Sequence, residues 1–357
     1  MDGHKRSERE RLELTVTALV PAALGMLAVP ASAAGRGACL CPVLALPAGL
    51  WLCRVWRRLG ELPRGLERCF GVTGGKAAAL AYLLWGGFLL AENGRRCARR
   101  LLLTVGEGGS PWLFLGVILA LALWLGRRED AFARTGRIFF LAVTVTLAAV
   151  LILALPGLRW ENLLPVGGRE LAGVPFGSVW VLSLSGYGVY GLCLPAEGRG
   201  ETRPGRWTVW SCGGLSVLTL AVVGAFGPAL VLEMDEPFLY LLGGVGLPGA
   251  FQRGEAALAA VLALGDLTLL TLLSWGCGRL WRELLPGRKK SAWVPAAVGL
   301  LAAGLIPARG GVSFWTERIA PAGNLIFGVL LPAGAVLTEK CRKYGKGKPT
   351  SCGESSP

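Results

Sequence analysis

Charge-free apolar runs alternate with short charged segments along the whole chain. Ten such runs stand out: Leu14–Gly35, Gly37–Cys53, one from Ala77 to at least Ala91, Gly108–Gly126, Ile138–Leu155, Leu171–Ala196, Trp207–Leu232, Ala256–Gly278, Ser291–Ala308 and Ile319–Thr338. Most have the roughly 17–25 residues that a helix needs to cross the hydrocarbon core of a bilayer. They lack the period-two alternation of a barrel strand, so helices are expected. The pattern predicts an all-α integral membrane protein with ten transmembrane helices. Residues 1–13 and a basic, disordered tail at 339–357 flank a membrane domain spanning 14–338.

The basic residues give this pattern a direction. With the N-terminus in the cytoplasm, 27 of the 37 Lys and Arg residues fall in cytoplasmic segments and 10 in external ones. That bias is expected of an even number of spans with both termini inside. Arg95, Arg96, Arg99 and Arg100 run against it, because they follow the third run and are placed outside, in a loop or a surface helix. The start of the chain also resembles a signal peptide, with basic residues, an apolar run and Ala31-Ser32-Ala33. The run is long for that role, and the topology uses it as the first span.

Composition narrows the function classes. The net charge of +14 would suggest nucleic acid in a soluble protein. Here the positive residues sit between spans, so the charge is topological and no nucleic-acid partner is expected. Ten cysteines are present, but no C-x-x-C pair, and His4 is the single histidine. Zinc, haem and Cys–His chemistry therefore lack ligands at usable spacing, and no cofactor is expected. No nucleophile–base set or phosphate loop is visible, so the chain does not read as an enzyme.

Ten spans divide into five plus five, which pairs the first with the sixth. The first holds Pro21, Gly25 and Pro30; the sixth holds Ser185, Gly186, Tyr187 and Gly188 within a glycine-rich stretch. Interrupted helices at corresponding positions of an inverted repeat line the binding site in many secondary transporters, where unwound backbone can hold a ligand. These six residues other than Pro21 are the candidate ligand-binding set. Asp266 is the single charge inside the eighth run, and an intramembrane carboxylate is a candidate for coupling or for a structural pairing. Glu92 and Glu255, at span ends, read as solvated. Gly173 and Gly177 have the spacing of a close helix crossing, a weak signal in a chain with 53 glycines.

Several blocks resemble one family. Gly25-Met26-Leu27-Ala28-Val29-Pro30 followed by Ala34-Gly35-Arg36-Gly37-Ala38 is similar to the opening of the B subunits of spore germination receptors (GerAB-type). These belong to the amino acid–polyamine–organocation permease superfamily. Ala154-Leu155-Pro156 with Trp160-Glu161-Asn162-Leu163-Leu164-Pro165-Val166 resembles a linker of that family. Ser185-Gly186-Tyr187, Phe226-Gly227-Pro228 and Gln252-Arg253-Gly254-Glu255-Ala256 match in order. The resemblance implies an inverted-repeat permease fold and a germinant-sensing subunit that recognises a small molecule, typically an amino acid. It also implies partner A and C subunits and the inner spore membrane. Two positions depart: Gly188 stands where the family often has glutamate, and Cys39-Leu40 where it has tryptophan. A secondary amino acid transporter and a ligand-free structural subunit are the alternatives on the same fold.

Overall fold

The computed structural model describes residues 8–105, 129–194, 204–234, 236–244, 254–285 and 319–346, with helical fragments at 116–117, 120–121, 124, 294–295 and 298–299. The described residues are helical, without strands. Seven helical segments among them are long and apolar enough to cross a membrane by length and composition: Ala28–Leu59, Leu62–Arg100, Thr135–Gly157, Gly168–Cys193, Gly205–Phe226, Ala260–Leu284 and Ala320–Glu339. The predicted spans Gly108–Gly126 and Ser291–Ala308 lie almost wholly outside the described residues.

The outer faces favour lipid over water. On the helix Glu129–Ala154 (α5), Ile138, Leu141, Val145 and Ile152 point outward, with Ile138 67% and Leu141 64% exposed. That spacing puts them on one helix face. A continuous apolar stripe of this kind belongs to a protein that meets another apolar phase.

The first predicted span is two helices. Glu8–Leu24 (α1) ends in a turn at Gly25–Leu27, and Ala28–Ala34 (α2) continues. A 3₁₀ segment, Gly35–Leu40, leads to Cys41–Leu59 (α3). Arg9 of α1 and Arg57 of α3 line one end of a common cleft. Arg36, between them in sequence, donates to the carbonyls of Leu164 and Pro165 at 3.1 and 3.3 Å. The chain thus runs away from the basic end and returns to it.

Leu62–Val105 (α4) is kinked at Gly71, whose φ of 79° suits glycine. The segment Arg54–Arg68 is split by Gly60, also at positive φ. Its apolar face, Leu59, Leu62 and Leu66, is buried in the core, while Arg58 and Arg64 face outward. After α5 come Gly168–Leu182 (α6), Ser185–Gly188 (α7) with a 3₁₀ extension to Cys193, and Pro204–Phe226 (α8). Two short helices follow, Pro228–Glu233 (α9) and Pro237–Gly244 (α10), then Gly254–Leu284 (α11). The last segment is Ala320–Leu325 (α12), a π-helical turn Ile326–Leu330 and Leu331–Lys346 (α13), which runs past the expected end of the tenth span.

Two hydrophobic clusters organise the packing. One gathers α1, α4, α7 and the later part of α11, with Leu14, Tyr82, Tyr190 and Leu273 at its centre. The other gathers α2, α3, α6 and α8 with the start of α11, around Leu27, Ala38, Val174 and Val222. The chain passes from the first cluster to the second at the turn after α1, and from the second back to the first at the turn after α6.

Glycine makes the second cluster possible. A Cβ on Gly173 of α6 would fall on the Ala33 carbonyl oxygen of α2, and one on Gly177 on Cys41 Sγ. The Gly173/Gly177 spacing, too common here to single out in the sequence, is a real helix crossing.

Candidate functional site

Both expected helix interruptions are present, in a form the sequence did not suggest. After α1, Met26 N–H donates to Ala23 at 3.1 Å and Leu27 N–H to Leu24 at 3.4 Å. After α6, Leu184, Gly186 and Tyr187 donate to the carbonyls three residues earlier, at 3.0–3.2 Å. Gly25 and Gly188 N–H also bond within the chain, to Pro21 and Leu184. Each interruption is a tightened turn, not an unwound segment, so the N–H groups of Gly25, Gly186, Tyr187 and Gly188 are already engaged. The polar groups left free at this place are on side chains.

Those side chains form a buried polar layer beside the two turns. Asn324, fully buried on α12, accepts from Trp85 Nε1 at 3.1 Å through Oδ1. Its Nδ2, the hydroxyls of Ser183 and Ser185, and Arg96 Nη1 are buried without a hydrogen-bond partner among the described residues. A Cβ on Gly186 would collide with Asn324, and one on Gly328 with Ser185 Oγ, so α7 and the π-turn cross in close contact. Tyr187 is buried and lies beside Asn93, Asn324 and Glu92. A Cβ on Gly25 would fall on Arg96 Nη1, which brings the first turn to the same layer.

The π-turn has its own supports. Tyr82 donates to the Phe327 carbonyl at 2.7 Å and Trp56 Nε1 to the Gly328 carbonyl at 3.2 Å. Tyr190 in turn donates to the Tyr82 carbonyl at 2.7 Å. A π-turn leaves carbonyls out of register with their usual donors, and such turns often occur at functional positions. Replacing Tyr82 with phenylalanine should therefore cost about 1 kcal/mol. The expected readout is a lower melting temperature in detergent, with Phe88→Leu as a control that removes ring stacking on Trp85 but no hydrogen bond.

The four arginines assigned to an external segment are helical. They lie in α4, which continues helically to Val105, and Arg96 and Arg100 are turned inward. Half-buried Arg96 pairs with buried Glu92 at 2.8 Å, so Glu92 is not the solvated span-end residue that its position suggested. Arg100, 6% exposed, reaches three acceptors: Asp266 at 2.9 Å, Glu236 at 3.0 Å and the Pro21 carbonyl at 3.0 Å. Asp266 and Glu236 are 4% and 5% exposed. Asp266 is thus held by a guanidinium in a compact ion cluster, and Glu236, just before α10, joins the same cluster. Glu92, Arg96 and Arg100 are spaced i, i+4, i+8, one helix face; that regularity was the available signal.

Pro30, the remaining expected site residue, is buried in α2 against Trp180, Val181 and Leu184, with a void of only about 10 Å³ beside it. It packs and does not line a binding space. Ser185 and Gly188 instead border a cleft of about 1150 Å³ that extends from Glu8, Arg57 and Arg206 to Ala23 and Val181. Gly25, Gly186, Tyr187 and Asp266 do not border it.

No protein-family model matches the chain, and neither does any curated protein. Three segments that include blocks quoted above meet in space. Asn162 Nδ2 and Arg159 N–H donate to the Gly224 carbonyl, both at 3.0 Å. Gly227 packs beside Asn162. Arg36 N–H donates to Glu170 at 3.3 Å. Segments 34–38, 154–166 and 224–228 therefore meet at the end opposite the basic one.

Proposed function

We propose that the chain is a permease-like membrane subunit that binds a small amino-acid-like molecule, as a germinant-sensing subunit would. One observation carries the reading: unpartnered buried donors gather beside the interruptions of the first and sixth spans. Arg96 Nη1 lies at Gly25; Asn324, whose Oδ1 lies at Gly186, carries an unpartnered Nδ2, and Ser185 Oγ lies at Gly328. Buried donors without acceptors suit an anionic group such as a carboxylate. Glu92 and the Tyr187 hydroxyl, close by, offer oxygens to an ammonium group. A carboxylate from α4 would then serve where Gly188 leaves none on the sixth span.

The same reading includes a five-plus-five inverted repeat of ten spans, cytoplasmic termini and assembly with A- and C-type receptor subunits. It is supported by the paired position of the two interruptions and by the sequence resemblance. A transporter on the same fold is the second reading, favoured by the intramembrane position of Asp266.

Binding can be measured on the protein in nanodiscs, by melting-temperature shift across the twenty amino acids. One or a few should stabilise the wild type, and Asn324→Asp and Arg96→Gln should each weaken that shift about tenfold in concentration, the worth of a hydrogen bond to a charged group. A wild type that responds to no amino acid, or variants that respond as well as wild type, would sink the reading. Proteoliposome uptake that disappears in Asp266→Asn would instead favour transport over sensing.

A further inference from the structure

The cleft has a chemistry that a polar amino acid does not match. Along α1 it is lined from Glu8 to Ala23, about 22 Å at a helical rise of 1.5 Å per residue. One bilayer leaflet has about 15 Å of hydrocarbon, so the cleft is deep enough for a whole acyl chain. Its walls include Leu19, Leu147, Leu151 and Leu218, and its mouth carries Arg11, Arg57 and Arg206 with Trp207 and Trp210. Tryptophan at the mouth of an apolar space is the usual marker of the headgroup level.

The mouth is short of negative charge. Arg57 and Arg206 are exposed, and Arg11 is partly buried. Arg11 has no salt bridge among the described residues, and burial pulls its guanidinium below the ordinary value, with Glu8 and Glu61 only partly opposing. Arg9 is already paired with Glu13 at 2.8 Å. Three guanidinium groups at the rim of an aliphatic cleft match one kind of occupant, an anion on an acyl chain.

We propose that the cleft holds an acyl chain of an acidic phospholipid from the surrounding bilayer, with the phosphate on Arg11, Arg57 and Arg206. The proposal stands on the cleft alone and does not depend on amino-acid sensing. A chain seated there would lie between the basic end and the turn at Ser183–Leu184. Anything reaching that turn would then arrive from the opposite end.

The test uses the full chain purified in mild detergent from bilayers of equal phosphatidylglycerol and phosphatidylcholine, with retained lipid quantified by mass spectrometry. Each arginine near an acidic lipid is worth about fivefold, so phosphatidylglycerol should be enriched at least about that much. The combined variant Arg11→Gln/Arg57→Gln/Arg206→Gln should abolish the enrichment, and Arg11→Gln alone should lower it if the combined variant does not fold. Gly214→Leu fills the cleft from α8, where an added Cβ meets nothing within 4 Å, and should also abolish it. Gly213→Leu, equally unobstructed but off the cleft, should not. Equal retention of both lipids overturns the proposal. So does loss in the arginine variant with Gly214→Leu unaffected, which would place the chain elsewhere. Displacement by free glycerol phosphate would indicate a phosphate site without a lipid, and overturns it too.

Discussion

Replacing Arg100 with leucine is expected to destabilise the protein by about 3–5 kcal/mol, the cost of removing one partner from a buried ion cluster. The substitution strands two carboxylates at once, Asp266 and Glu236, and removes one of the two donors to the Pro21 carbonyl near the end of α1. Asp266→Asn should cost less, about 1–3 kcal/mol, because Arg100 keeps Glu236 and the carbonyl. Arg100→Lys should fall near the leucine variant, since an ammonium group lacks the planar fork that reaches three separated acceptors. Thermal unfolding followed by size exclusion ranks the three. Equal losses for Asp266→Asn and Arg100→Leu would mean that Glu236 contributes nothing, and an unchanged Arg100→Leu would show that the cluster is not buried.

The second large effect concerns a glycine. In Gly173→Leu the new side chain starts where the Ala33 carbonyl oxygen lies, and backbone cannot step aside as a side-chain end can. Overpacking a core typically costs 1–3 kcal/mol, and a clash with backbone should reach about 3 or more. The crossing of α2 and α6 would open, and the second cluster with it. Gly213→Ala is the contrast: its Cβ meets nothing within 4 Å, and the helix gains about 1 kcal/mol of propensity. A Gly173→Leu protein that melts with wild type would show that the two helices do not cross there.

Much of the membrane architecture is legible in the hydropathy pattern, because a single physical demand writes it. A span must be apolar and long enough, and Ile138–Leu155 and Trp207–Leu232 announce themselves on that ground alone. The interruptions at Gly25 and around Ser185 are legible for a related reason, since glycine and proline accumulate where a helix must turn. Asp266 stands out as a charge in an apolar run. Its partner does not: Arg100 lies 166 positions earlier, in a group of four arginines whose composition resembles a loop. Counting basic residues assigns such a group to an aqueous side without asking which face each occupies. The i, i+4, i+8 spacing of Glu92, Arg96 and Arg100 records that face, and it outranks the count. Asn324 was overlooked because a lone asparagine in Pro321–Phe327 alters hydropathy little. The π-turn after it follows from tertiary contacts with Tyr82 and Trp56, which no local pattern encodes.

Arg100 has a mechanical consequence. It stands on α4, in one hydrophobic cluster, and grips Glu236 at the start of α10, whose Phe238 and Leu241 belong to the other. The turns after α1 and α6 form one joint between the clusters, which α5 and α11 also cross as continuous helices. The bond from Arg100 to Glu236 is a strap across that joint, fastened also to the tip of α1 through the Pro21 carbonyl. One guanidinium thus ties three elements together: Glu236 ahead of α10, Asp266 on α11 and the end of α1.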